Sequence, residues 1–212
     1  MSSGVTLVCF AVKQEARPFQ RLAQNAPGIR VLLTGMGEQN ARNSVAAALK
    51  KERPVRIVTA GFAGGLAPEL PRGTVVYLAD PGNDLEPRLR AAGARSVRFY
   101  CSPRVVTTAV EKAQLFNKTK AEAVEMESRC IHELSNAADV PVATVRVILD
   151  TASEDLALDF NQLMTPDLRL DGRKLGIALL KAPGKIAALL QLQRQSASAA
   201  ARLGEVLAQA LL

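Results

Sequence analysis

Three short aliphatic runs in the first eighty residues each break off at a glycine turn or a charged tripeptide, and this rhythm constrains the fold more than any other feature. Residues 5–12 run into Lys13-Gln14-Glu15 and then into helically spaced residues as far as Ala26. Residues 29–34 end in Gly35-Met36-Gly37 and precede a helix over 40–50. Residues 56–60 end in Gly61-Phe62-Ala63-Gly64-Gly65, which reads as a tight turn or a phosphate-cradling loop, and a further strand over 75–78 follows the turn Pro71-Arg72-Gly73. Strands that alternate with helices in this way need a largely parallel sheet covered on both faces.

The rest of the chain continues the pattern. Residues 80–95, with Pro81, Gly82, Asn83 and Pro87, read as a surface connection holding one helical turn over 89–92. Strands are expected over 96–101, 121–126 and 142–150, and helices over 107–116 and 128–137. The last third reads as two helices, 172–180 and 185–211, separated by Ala182-Pro183-Gly184. A chain of 212 residues without a low-complexity linker suits one domain spanning 1–212. Apolar residues make up 48% and aromatics only 4%, so the core must be aliphatic.

Charge and cysteine content exclude several function classes. The net charge of +7 is scattered rather than gathered into a basic arm, so nucleic acid is not an expected partner. Three cysteines without a CxxC spacing and a single histidine give neither a disulfide framework nor a zinc site, so no metal and no cofactor are expected. The N-terminal segment lacks a charged region before its apolar run and no stretch is long enough for a membrane span, which makes a cytoplasmic protein the simplest reading. The apolar face of the last helix suits packing on the sheet better than contact with a membrane surface. His132 and Cys130, on the helix over 128–137, read as structural; His132 has no obvious partner.

In an open α/β sheet, ligands gather where strands end and helices begin. Five such junctions carry chemistry-bearing residues: Lys13-Gln14-Glu15, Gly35-Met36-Gly37, Gly61 to Gly65, Val124-Glu125-Met126-Glu127-Ser128, and Leu149-Asp150-Thr151. Taken singly, each has a plain alternative. The two glutamates suit a solvated surface, alternation in an extended segment puts Met126 opposite them, and Asp150 suits a cap.

Together and in order, these segments resemble the purine nucleoside phosphorylase superfamily, and in particular the methylthioadenosine and adenosylhomocysteine nucleosidases. The resemblance runs through Phe10-Ala11-Val12-Lys13-Gln14-Glu15-Ala16, Thr34-Gly35-Met36-Gly37, residues 59–68, Arg72-Gly73-Thr74-Val75-Val76, Val124-Glu125-Met126-Glu127-Ser128, and Arg146-Val147-Ile148-Leu149-Asp150. The stretch 104–112 and the tail around Arg173, Pro183-Gly184 and Leu189-Leu190 look most like the hopanoid-associated phosphorylase, or adenosylhopane nucleosidase, branch. The resemblance implies a mixed, largely parallel central sheet flanked by helices in three layers, with a helical C-terminus. It implies cleavage of the N-glycosidic bond of a purine nucleoside, a small-molecule substrate, by a homo-oligomer.

By the same resemblance Asp150 protonates the purine, Glu15 serves the attacking water, Glu127 accepts from the ribose hydroxyls, and Met126, Phe62, Gly61 and Val106 line the substrate site. Phosphorolytic relatives hold phosphate with an Arg and a Ser where this chain has Thr59 and Phe62, which points to water as nucleophile. A phosphate-dependent phosphorylase and a weakly catalytic nucleoside-binding protein are the alternatives. Leu149 stands where a Ser often supports the catalytic Asp, and the middle region between Ala79 and Val105 is short, which leaves the 5′ side open to a bulky substituent such as a hopane skeleton or to closure by a partner subunit.

Overall fold

The computed structural model describes residues 4–80, 84–156, 159–165 and 184–212. Its centre is a sheet in the order β2-β1-β3-β8-β4-β5, made of β1 (Thr6–Phe10), β2 (Ile29–Leu33), β3 (Arg56–Gly65), β4 (Val75–Ala79), β5 (Arg95–Ser96) and β8 (Val142–Asp150). Two short strands, β6 (Phe99–Cys101) and β7 (Ala123–Glu125), extend it from the far end of β3. Pairing is parallel except between β4 and β8 and between β3 and β7. This is the mixed, largely parallel, helix-flanked sheet that the sequence implied.

The layers follow from the period of two along each strand. In β1, Val8 and Phe10 face one side, where Val58, Val145 and Val147 join them in a cluster with Ala16, Phe19, Leu85, Leu89 and Leu203. Leu7 and Cys9 face the other, packing with Ile57 and Val142 against Ala41, Val45, Cys130 and Ile131. The first side is covered by α1 (Lys13–Leu22), α3 (Leu85–Ala91) and the long C-terminal helix α7 (Lys185–Leu211). The second side is covered by α2 (Glu38–Lys51) and α5 (Ser128–Ala137). Helices α4 (Ala109–Thr119) and α6 (Phe160–Leu163) border the strand ends.

Helix α7 docks by a stripe of small and aliphatic residues, Ala199, Leu203, Val206, Leu207 and Ala210, all buried, at helical spacing. Gly204 lies on the same docked face, where an added Cβ would fall 2.9 Å from the backbone N of Phe19 in α1. The C-terminal half of α7 thus packs on the sheet side, while Ile186 and Leu190 near its start are exposed. Among the described residues no helix is long and apolar enough to cross a membrane.

Three sequence expectations need correction. The glycine run Gly61 to Gly65 is not a turn: β3 continues through it, pairing with β8 on one edge and β7 on the other. The expected strand over 96–101 is two strands in different places, because Val97 and Arg98 carry the chain from β5, paired with β4, to β6, paired with β7. The single helical turn expected over 89–92 is a helix of 7 residues, Leu85–Ala91, held by buried Leu85 and Leu89. The helix expected over 172–180, the break at Ala182-Pro183 and Arg173 lie outside the described residues.

Candidate functional site

The strand ends and helix starts bring the expected residues to one cavity of about 310 Å³. Its charged lining comes from Glu15, Glu125, Glu127 and Asp150, Ser196 adds a hydroxyl, and its walls include Phe62, Met126 and Val106. Of the residues expected at the site, only Gly61 does not line it.

Gly61 acts one layer back. A Cβ there would fall 2.8 Å from Glu15 Oε1, so the missing side chain is what lets the carboxylate lie against β3. Glu15, in the first turn of α1, accepts from the backbone N–H of Phe62 at 2.9 Å and from that of Val12 at 3.2 Å. Burial pushes its carboxyl above the usual range, and the two amides and the Arg146 guanidinium hold it back only partly.

Gly64 does the same for Asp150, since a Cβ there would meet Asp150 Oδ2 at 3.2 Å. A shift in the β3–β8 register between Ala63 and Gly64 sets Gly64 opposite Asp150. The glycines of β3 therefore make room for two carboxylates, which explains why a strand carries them.

The Glu125-Met126-Glu127 segment departs from simple alternation. Strand β7 ends at Glu125, and Glu127 has φ −128° and ψ −24°, so the chain turns before the second carboxylate. Met126 does not face away; it lines the cavity with both glutamates. Neither glutamate is a solvated surface charge. Glu125 accepts from Ser128 Oγ at 2.6 Å and from the backbone N–H groups of Ser128 and Glu127, which fixes the start of α5. Glu127 Oε1 accepts from the N–H of Gly37 at 2.8 Å. Gly37 has φ 81°, a left-handed conformation that suits glycine, and it caps α2 so that the positive end of that helix meets Glu127.

Between these carboxylates stands Arg146, to which sequence reasoning gave no role of its own. Its Nη2 lies 2.7 Å from Glu125, 3.7 Å from Glu127 and 3.0 Å from Thr59 Oγ1. Burial works against ionising Glu125, but the guanidinium and the Ser128 hydroxyl outweigh it, so that carboxyl sits below its usual range. Glu127 goes the other way, to about 7, through burial and the neighbouring Glu125 charge. Two carboxylates share one cation, and the closer one takes it.

Thr59 does not line the cavity; it is buried and accepts a hydrogen bond from Arg146. No lysine or arginine is among the described residues that line the cavity. A second residue that sequence reasoning passed over is Lys112 of α4, whose fully buried Nζ lies 2.6 Å from Asp150 Oδ2. For Arg146 the signal was present, since a cation inside an apolar strand must find a buried counter-charge, whereas Lys112, beside Glu111 in a mixed helix, carried none. His132, expected without a partner, contacts Thr144 Oγ1 at 2.9 Å and Asp80 at 3.5 Å, and neither Thr144 nor Asp80 lines the cavity.

A model of the Phosphorylase superfamily matches residues 84–181, a span that carries Lys112, Glu125, Glu127, Arg146 and Asp150. No curated protein matches the chain. Among solved structures, the 5′-methylthioadenosine/S-adenosylhomocysteine nucleosidase of Neisseria meningitidis, in complex with methylthio-immucillin-A, superposes with a TM-score of 0.73 at 17% identity, over 98% of both chains. The chain has the nucleosidase fold. The corresponding enzyme of Campylobacter jejuni gives 0.66 at 15% identity, over 96% of this chain and 98% of that one. Futalosine hydrolase of Helicobacter pylori gives 0.68 at 14% identity, over 97% of both. Within the nucleosidase fold the cavity lies where strands β3 and β8 end and helices α1 and α5 begin, as the ligand rule for open α/β sheets requires.

Proposed function

We propose that this protein hydrolyses the N-glycosidic bond of an adenosine-type nucleoside. The observation that carries the reading is the convergence of Asp150, Glu127 and Glu15 on one cavity, whose described lining contains carboxylates and no lysine or arginine. A phosphate dianion entering such a site meets like charge without an uncommitted guanidinium, since Arg146 is bound to Glu125. Water carries no such penalty.

The roles follow from the environments. Burial raises the affinity of Asp150 for a proton, and Lys112 opposes it. Asp150 gives this proton to N7 of the purine as the bond between C1′ and the base breaks, its electron pair passing to the base. Water adds to C1′ and its proton passes to Glu15, so nucleoside and water become free base and sugar. Glu127 accepts from the ribose hydroxyls, and Met126 packs against the sugar. One carboxyl serves the leaving group and another the nucleophile, as in glycoside hydrolysis.

Leu149, Leu156, Phe160, Met164 and Leu192 give the rest of the cavity an apolar wall, which favours an apolar 5′ substituent. A volume of about 310 Å³ is filled by the nucleoside itself, so a bulky group such as a hopane skeleton would have to leave through the mouth.

The test is release of adenine from adenosine, methylthioadenosine and a 5′-alkylated adenosine, with and without phosphate. Phosphate-independent release is expected. Strict phosphate dependence would establish a phosphorylase instead, and binding without release a nucleoside-binding protein. Asp150→Asn should lower kcat by about 10²–10⁴-fold, the usual worth of a positioned acid.

A further inference from the structure

Lys112 is 0% exposed, and its ammonium meets three oxygens at once. Nζ donates to the carbonyls of Thr151 at 2.8 Å and Glu154 at 2.7 Å, and lies 2.6 Å from Asp150 Oδ2. The two carbonyls accept hydrogen bonds from the ammonium, and the carboxylate oxygen faces its charge as an ion-pair partner. The two carbonyls are aimed by a small turn in which Glu154 N–H donates to Thr151 O and the Glu154 carboxylate accepts from the Thr151 N–H and hydroxyl. Arg72 clamps this turn from outside, through an ion pair with Glu154 and a 2.7 Å hydrogen bond to the carbonyl of Leu149. Helix α4 is tied to the same segment, because Ala109 N–H donates to Asp155 and Leu156 N–H donates to Thr107. This is a constructed seat for one cation, on the residue after β8 and beside the proposed acid.

We propose that Lys112 is the positioning residue of Asp150, holding Oδ2 so that Oδ1 is left as the oxygen that passes a proton to the base. Oδ2 is closed off from solvent: it lies 2.6 Å from Lys112 Nζ, and a Cβ at Gly64 would fall 3.2 Å from it. Fixing one oxygen also fixes the plane of the carboxyl group. The ammonium has a second effect: it favours the ionised carboxylate, and so turns a buried carboxyl that would hold its proton too firmly into one that releases it readily. Leu149 then needs no replacement for a supporting hydroxyl at its position, because the support arrives from α4.

This inference rests on the proposed nucleosidase reading for its consequence in turnover, but not for the ion pair itself, and the experiment separates the two. In protein labelled with ¹³C at the aspartate carboxyls, with Asp150→Asn identifying the signal, Asp150 is titrated in wild type, Lys112→Met and Lys112→Arg. Lys112→Met should move the titration of Asp150 upward by about 1–3 pH units, the usual effect of a removed adjacent opposite charge, and Lys112→Arg should return most of that shift. An unchanged titration in Lys112→Met overturns the proposal, whether or not any nucleoside is cleaved. A shifted titration in a protein that releases no adenine upholds the pair and sinks the nucleosidase reading.

Where adenine is released, the basic limb of the kcat profile should move upward in Lys112→Met in step with the carboxyl, with kcat at its plateau about tenfold to a hundredfold lower and KM within about twofold. A loss of kcat with an unmoved limb overturns the electrostatic role. Should Lys112→Met fail to fold, ¹⁵N-lysine protein reads the contact from the other end. The Lys112 Nζ resonance must move on Asp150→Asn, and an unmoved resonance overturns the proposal.

Discussion

The guanidinium of Arg146 lies 2.7 Å from the carboxylate of Glu125, with 2% and 0% of the two side chains exposed. Two opposite charges so far from water hold one another in place, and each depends on the other to remain tolerable in the core. The pair sits between the cavity and the α2–α5 layer, and Glu125 also fixes the first turn of α5 through Ser128. The same contact thus joins the proposed ribose end of the site to the packing of the fold.

Removing one member should therefore cost far more than removing both. Arg146→Met leaves Glu125 buried without its cation, and a loss of about 3–5 kcal/mol in denaturant unfolding is expected. Adding Glu125→Gln relieves the stranded charge while keeping most of the hydrogen bonds to α5. The double variant should be more stable than Arg146→Met alone, and a double variant as unstable as the sum of both singles would show that the pair is not coupled.

Glu127 sets a pH window. Its carboxyl keeps a proton to about pH 7 in the folded protein, against an ordinary value of 4.5. Between those values the folded state binds more protons than the unfolded chain, so this group's contribution to stability is full below pH 4.5 and declines as pH rises towards 7. The decline should be on the order of 1–3 kcal/mol, and Glu127→Gln should remove it. Activity runs in the opposite sense, because only the carboxylate accepts from both ribose hydroxyls. On the nucleosidase reading, kcat/KM should rise with an apparent pKa near 7. A pH-independent unfolding free energy across this window would contradict the assignment.

Much of this arrangement was legible in the residues themselves. The alternation of aliphatic runs and helical spacing carried the sheet and its covering helices, and α5 and β8 begin and end where the sequence placed them. The residues expected at the site were picked out by the order of their motifs, since Glu15, Glu127 and Asp150 lie on separate elements and reach one cavity only after folding. What escaped was pairwise. Nothing local to Lys112 says that a turn 40 residues on will present two carbonyls to it, and nothing local to Arg146 says which of two glutamates lies closer. The glycines of β3 misled for a related reason. Glycine marks both turns and places where something approaches the backbone closely, and only the positions of Glu15 and Asp150 decide between them.

That second use of glycine can be tested at Gly61. A methyl group there would fall 2.8 Å from Glu15 Oε1, closer than any relaxed contact. In Gly61→Ala the carboxylate must withdraw from the Phe62 N–H. The fold should survive with a loss of about 1–3 kcal/mol, as for other overpacked sites. Turnover should fall more than substrate affinity, because Glu15 is assigned to the water rather than to the nucleoside. A variant with raised KM and unchanged kcat would place Glu15 on the wrong partner.

Gly204 poses the question where no chemistry is involved. It lies in the interior of α7, where helix propensity alone favours alanine by about 1 kcal/mol. Against that, a Cβ at this position falls 2.9 Å from the backbone N of Phe19 and 3.1 Å from Pro18 Cβ, and neither is the far end of a flexible chain that can swing aside. Helices α1 and α7 would have to separate, loosening the core cluster that Phe19 and Leu203 share. Overpacking of this kind costs about 1–3 kcal/mol, which exceeds the gain in propensity. Gly204→Ala should therefore unfold at lower denaturant concentration than wild type, and Gly204→Leu at lower still. A stabilised Gly204→Ala would mean that the two helices are not in the close contact that brings α1, and with it Glu15, to the edge of the cavity.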